Sequence, residues 1–276
     1  MRLRDAARRF NDVQAYDAYT LKELFKCQFS SFDDHSADGA TARRRTLNVP
    51  LEVVIPARSC VRLYDETWLV GSGTQDSFGG SVVRKHFGMK RATDLVSIAT
   101  PAAVLTSTGT PVYVQKQYFK DTADTRTESD TQVSWNVFLS PAETIAEGMF
   151  IVADVLMRVR NHYLPLEGLR IAQCDDLGPI SIVTATFTEN GAYNSATDAM
   201  ASVSVATSVI LLDYTRLFRL ATEADAAYAP GDVSILVRKA ALTPVTGARL
   251  TMNSNSWRVL NTQSELDCWL LHCRIG

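Results

Sequence analysis

The sequence of 276 residues has no apolar run long enough to cross a bilayer as a helix. Its most apolar stretch, 201–212, contains Ser202, Ser204, Thr207 and Ser208 and stops at Asp213, so no spanning helix and no membrane partner are expected. No Asn-x-Ser/Thr sequon occurs, and the five cysteines (Cys27, Cys60, Cys174, Cys268 and Cys273) are odd in number and widely spaced. A disulfide framework is therefore not expected, and assembly in a reducing cytoplasm is. The N-terminal arginines have no apolar segment behind them, which argues against a secretory signal. Net charge is almost absent, −2 at pH 7, so nothing draws the chain as a whole to nucleic acid or an anionic membrane. Catalytic signatures are missing as well: there is no Gly-x-Ser-x-Gly, His-Glu-x-x-His or Cys-x-x-Cys.

What is present suffices for a core. A hydrophobic fraction of 46% with 21% charged residues is ordinary for a globular protein, and the length allows one large domain or two to three small ones. Residues 1–26 read as mainly helical, because Leu3, Ala7, Phe10 and Val13 recur at helical spacing. Residues 30–45 read as a polar loop ending in Arg43, Arg44 and Arg45. From Leu47 onward the pattern is short β-branched or aromatic runs separated by glycine, proline and acidic turns, the signature of antiparallel barrels or sandwiches. Ser140-Pro141-Ala142-Glu143 has the form of a helix start, with Gly148 suited to end it. Asn190-Gly191, between alternating segments, predicts a hairpin turn and an arm rich in Ser and Thr. The expected division is 1–108 (helix plus a barrel-like unit), 109–178 (a second β unit) and 179–276 (a hairpin arm plus a third β unit).

The third unit repeats the second. Sliding 131–173 onto 231–273 without a gap superposes Val133 on Val233, Ser134 on Ser234, Val137 on Val237, Arg158 on Arg258, Val159 on Val259, Asn161 on Asn261 and Leu166 on Leu266. Chance gives roughly two or three identities at this composition. A looser echo lies upstream, where Trp68-Leu69-Val70 matches Trp257-Arg258-Val259, and Thr74-Gln75 matches Thr262-Gln263 after a one-residue gap. Alternation along a strand puts Trp68 and Val70, Met157 and Val159, and Trp257 and Val259 on one face each, as core anchors. Repeated small β units multiply contact surface without assembling a catalytic cluster.

The candidate chemistry is thin. Gly71, Gly73, Gly79 and Gly80 lack the Lys-Ser/Thr and the following helix of a phosphate loop, and read as permissive hairpin backbone. Cys268, His272 and Cys273 form the one Cys/His cluster, but strand alternation turns Cys273 away from the other two, so structural packing is expected rather than a metal site. The pairs Asp33-Asp34 and Asp175-Asp176 read as turn caps. Arg2, Arg4, Arg8 and Arg9, with Arg43, Arg44 and Arg45, fit contact with DNA phosphates or an acidic partner as well as they fit a solvated face. No catalytic residue, metal or cofactor is expected.

A strand with Trp-x-Val, a turn and a last strand ending in arginine (SWRVLNTQSELDCWLLHCRIG) resembles the head-closure or stopper proteins of tailed-bacteriophage necks. AEGMFIVADVLMRVRNHYLPLEGLRIAQC and TWLVGSGTQDSFGGSVVRK are weaker echoes of the same segment. The resemblance covers about half of the chain, which is longer and has more units than a single-barrel stopper. It implies a virion protein assembled in the host cytoplasm, non-enzymatic, forming a cyclic homo-oligomer between portal or adaptor and tail proteins. The loops 30–45 and 120–131 and the 188–195 hairpin would reach the neighbouring rings. Alternatives are a capsid decoration or baseplate protein and, from another class, a hydrolase or carbohydrate-binding module on a β scaffold.

Overall fold

The computed structural model describes residues 13–35, 41–50, 52–55, 60–78, 81–120, 133–165, 168–196, 199–212 and 231–276. They form three consecutive closed antiparallel barrels. The first contains β1 (Val13–Asp17), β2 (Glu23–His35), β3 (Thr41–Val49), β4 (Cys60–Leu63), β5 (Glu66–Phe78) and β6 (Ser81–Arg91). The second contains β7 (Asp94–Ala99), β8 (Thr110–Lys120), β9 (Val133–Leu139), β10 (Phe150–Val152), β11 (Leu156–Tyr163) and β12 (Arg170–Asp176). The third contains β13 (Ser181–Asn194), β14 (Ala199–Leu212), β15 (Val233–Arg238), β16 (Arg249–Met252), β17 (Asn255–Ser264) and β18 (Cys268–Ile275).

All three have one topology. Counted within each barrel, the strands pair in the order 1-2-3-6-5-4, and the first closes on the fourth through β1–β4, β7–β10 and β13–β16. Closure leaves the barrel wall without an unpaired edge. Alternation then fills each interior: Trp68, Val70, Leu47 and Met89 in the first, Met157, Val159, Val137 and Cys174 in the second, and Trp257, Val259, Ile235 and Cys273 in the third. Each fifth strand bulges directly after its valine. Register shifts follow Val70, Val159 and Val259, whose partners are Met89, Cys174 and Cys273. A bulge bends the strand and sharpens its twist, which a six-stranded wall needs in order to close.

Register accounts for only part of the sequence echoes. The shift from Val70 to Gly73 runs against Met89 to Phe87, and that from Val259 to Asn261 against Cys273 to His272, so each bulge adds one residue and the gap before Thr74-Gln75 leaves that echo one position out of register. The ungapped offset of one hundred aligns β11 with β17, but it is two too many between β9 and β15, where register equates Phe138 with Leu236, and one too many in the fourth and sixth strands. There the pairing equates Ile151 with Leu250 and Cys174 with Cys273. The slip hid a further shared feature: Gly148 (φ 79°) and Gly247 (φ 92°) each donate their N–H to the carbonyl of the bulge valine, Val159 or Val259, at 2.8 Å. Both adopt the left-handed conformation that glycine tolerates without strain.

Several expectations are corrected. The N-terminal helix is not found: residues 13–17 and 23–35 are strands, and 1–12 lie outside the described residues. The apolar spacing from Val13 onward served period two, not 3.6. The polar segment 30–45 is largely the β2–β3 hairpin and not a loop. Ser140 opens a turn rather than a helix, although its hydroxyl does accept from Ala142 N–H at 3.3 Å. The chain must stay extended there so that Ile145 can enter the second core. The described helix is instead α1 (Pro101–Thr106), capped by Thr100 and ended by Ser107 at φ 56°. It carries the same Ser/Thr-Pro signature. Asn190 and Gly191 lie within β13 at a register shift, and the turn falls beyond Asn194. Finally, β7 pairs with β8 and β10, so the second barrel starts at Asp94 and a division at 108/109 would cut through it.

Candidate functional site

Two kinds of surface distinguish this chain from three isolated barrels: the junctions between consecutive barrels and the hairpins that outrun the barrel walls. Both arise from the outward half of the strand alternation.

At the first junction, Ala18, Cys60 and Leu69 of the first barrel pack on Phe138 and Leu169 of the second. Tyr19 and Tyr113 stack with ring centres 5.2 Å apart, and the Tyr19 hydroxyl accepts from Tyr113 N–H at 3.3 Å. Burial raises the Tyr19 phenol above its ordinary range, so it stays protonated and able to donate to Cys60 Sγ at 3.8 Å. Lys90 Nζ lies 3.7 Å from the centre of the Phe138 ring. Asp17 shapes the neighbouring turn. Partial burial works against its charged form, but hydrogen bonds from Thr20 and Tyr19 and the nearby Lys22 outweigh it, holding the carboxyl below its usual range.

At the second junction, Ala99, Val104, Phe150, Leu156 and Leu177 meet Ile210, Leu212, Leu236, Cys268 and Leu270 of the third barrel. Arg158 Nη2 donates to Glu265 Oε2 at 2.7 Å, and Ala102 N–H donates to Asp267 Oδ1 at 3.0 Å. A cavity of about 10 Å³ remains among Pro101, Phe150, Leu212 and Leu270, room for one water at most.

The two junctions use equivalent surfaces. The earlier barrel offers the outer face of its fourth and fifth strands: Cys60 and Leu69, then Phe150 and Arg158. The later barrel offers the outer face of its second, third and sixth strands. Register makes Phe138 and Ile171 equivalent to Leu236 and Leu270. In the first barrel, on which no earlier barrel packs among the described residues, the same row is Gln28, Asn48 and His86, and the last two are hydrogen-bonded.

The hairpins carry the remaining surface. In β13–β14 the ladder runs from Ser181↔Leu211 to Asn194↔Ala199, yet β16 covers β13 only through Thr188 and β15 covers β14 only from Val209. Past those points each strand has one neighbour among the described residues. β2–β3 extends to His35↔Thr41 and β5–β6 to Phe78↔Ser81 in the same way.

The sequence candidates distribute as follows. Arg2, Arg4, Arg8 and Arg9 lie outside the described residues. Arg43, Arg44 and Arg45 stand on β3, opposite Asp33, Phe32 and Ser31 in the β2–β3 ladder. Trp68, Val70, Met157, Val159, Trp257 and Val259 are all buried in the three barrel interiors. Gly73 sits where a Cβ would come within 2.6 Å of the Phe87 ring, a packing reason for that glycine. Asp176 accepts from Gly178 N–H at 2.7 Å, a turn cap, whereas Asp175 is buried 3.6 Å from Arg160.

Cys268 faces the second junction while Cys273 lies inside the third barrel. No group of three metal-ligating side chains occurs among the described residues. Burial pushes the thiols of Cys268 and Cys273 up to about 12 and that of Cys174 higher still, so all three stay protonated and weakly nucleophilic. His272 belongs to a set that sequence reasoning missed. Asp232, buried, meets His272 Nε2 at 2.7 Å and accepts from Arg274 Nε at 2.7 Å and Nη2 at 2.8 Å. The carboxylate holds the Arg274 guanidinium above its ordinary pKa. Nothing in the sequence links residues forty apart. Only the β15–β18 pairing brings them together, fastening the last strand to the start of the third.

No family model matches this chain, and neither curated proteins nor solved structures give a significant match.

Proposed function

We propose that this chain is a non-enzymatic structural protein of a tailed-phage particle, a ring adaptor of the head–tail junction that joins its neighbours through hairpins projecting from a rigid three-barrel body. One observation carries the joining role: β2–β3, β5–β6 and β13–β14 continue as two-stranded ladders past the barrel walls, leaving strand edges with a single neighbour among the described residues. Such edges accept another strand through main-chain hydrogen bonds. Heterologous contacts of this kind close into rings when the rotation permits. The apolar junctions hold the barrels together, so a load on one hairpin is passed through packed side chains to the others. The placement in a phage neck comes from the resemblance of the Trp-x-Val and final-strand segments. Arg2 to Arg9 and Arg43 to Arg45 are assigned to the portal or packaged DNA.

The test is the oligomeric mass of the purified chain, alone and with portal protein, beside a variant in which 189–203 is replaced by Asn-Gly. A ring for the parent and a monomer for the variant are expected. A parent that stays monomeric with and without portal, at tens of micromolar, would overturn the ring. Normal head–tail joining after substitution of all seven arginines by glutamine would remove them from it.

A further inference from the structure

We infer that the outer face of the third barrel carrying Arg249 and Arg258 is a docking surface for an acidic protein segment. It occupies the place where each earlier barrel receives the next one. This follows from the repeat geometry and does not depend on the phage reading.

Register fixes the equivalences. Val61 faces Trp68, Ile151 faces Met157 and Leu250 faces Trp257 across the fourth and fifth strands. The outward residues beside them therefore correspond: Cys60, Phe150 and Arg249 on the fourth strand, and Leu69, Arg158 and Arg258 on the fifth. In the first two barrels these positions are covered by the following barrel. In the third they are exposed, with Thr188 and Ser256 beside them. The face that was apolar has become basic.

Two features separate this face from an ordinary solvated one. Arg249 stands directly opposite Arg258, and Arg258 directly opposite Arg274 on the next strand. Like charges opposed across a ladder are destabilising unless something neutralises them. Asp232 neutralises Arg274, but among the described residues no carboxylate lies within ion-pair distance of Arg249 or Arg258. The second feature is the fate of the equivalent arginine. Arg158 finds its carboxylate on the barrel that follows, Glu265 in the turn between the fifth and sixth strands, at 2.7 Å. Arg258 repeats Arg158 in type and position, and no barrel among the described residues lies against it. Its counter-ion lies outside the described residues, and the paired arginines in the equivalent and the neighbouring place, Arg158 and Arg274, both use a protein carboxylate.

The face does not suit a fourth barrel of the same kind from a second copy. The first barrel's receiving row, Gln28, Asn48 and His86, supplies neither an apolar patch nor a carboxylate.

The experiment measures fluorescence anisotropy of a labelled decaglutamate peptide with the full chain at low salt. Variants are Arg249→Gln/Arg258→Gln and, as control, Arg158→Gln. A 20-base-pair DNA duplex serves as a second probe, and sedimentation of each protein is recorded. Decaglutamate affinity is expected to fall about tenfold or more in the double variant, to remain near the parental value in the control, and to weaken with salt. The double variant should melt no lower than the parent, since opposed charges have been removed. Equal decaglutamate binding by parent and double variant would overturn the proposal. So would a tighter, arginine-dependent grip on the duplex, which marks a nucleic-acid surface. Arginine-dependent self-association without peptide binding would overturn it in favour of a second copy.

Discussion

The first and third barrels share a strand order, a bulge position and a Trp-x-Val core, yet their outer walls are opposites. On the second, third and sixth strands the first barrel shows Gln28, Asn48 and His86, where the third shows Ile210, Leu236 and Leu270. On the fourth and fifth strands the contrast reverses: the first has Cys60 and Leu69, the third Arg249 and Arg258. Interiors agree because one closed topology leaves little choice about which residues point inward. Outer walls differ because a neighbour, and not the barrel, decides what they must be. Apolar faces occur where one described barrel adjoins another, and polar faces where none does.

The largest expected effect tests that contrast directly. Leu236→Asn places an amide in the apolar second junction and should cost about 3 kcal/mol in denaturant unfolding. The equivalent change in reverse, Asn48→Leu, should stay within about 1 kcal/mol, because no barrel among the described residues packs on that wall. Equal costs would mean that the first barrel's wall is covered after all. The paired arginines give a second measure. Arg158→Ala leaves Glu265, whose side chain is 11% exposed, without its partner and should cost about 2 kcal/mol. Arg258→Ala should be neutral to within about 0.5 kcal/mol, and a large loss there would sink the equivalence.

Alkaline pH probes the barrels themselves. Folding raises the thiols of Cys268 and Cys273 to about 12, above an unfolded value near 8.5. The unfolded chain therefore loses these protons first. Their contribution is fully present below about pH 8.5 and declines as pH rises toward 12, by at most ~1.4 kcal/mol per unit and thiol. Urea midpoints from pH 8 to 10.5 should fall with this slope and flatten in a Cys268→Ala/Cys273→Ala variant.

Much of the interior was legible in the sequence. Period-two alternation marked Trp68, Met157 and Trp257 and their valines, and the offset of one hundred picked out the fifth strands of two barrels. The N-terminal helix failed from Val13 onward, because Val13 and Ala15 alternate into a core; Leu3, Ala7 and Phe10 lie outside the described residues. Asn190-Gly191 failed for a related reason. A dipeptide that permits a turn also permits a bulge, and the pairing of β13 with β14 through Tyr193↔Met200 carries the ladder past it.

Residue order by itself determined that this chain alternates, repeats and buries one face of each strand, since those depend on neighbours two to ten residues away. Only the tertiary structure decided that the barrels close, that a bulge absorbs the odd residue after each valine, and that Asp232 meets His272 and Arg274. It also decided which outer walls are covered. An outward residue carries no local sign of what will lie against it, and that contact is made by parts of the chain dozens of residues away.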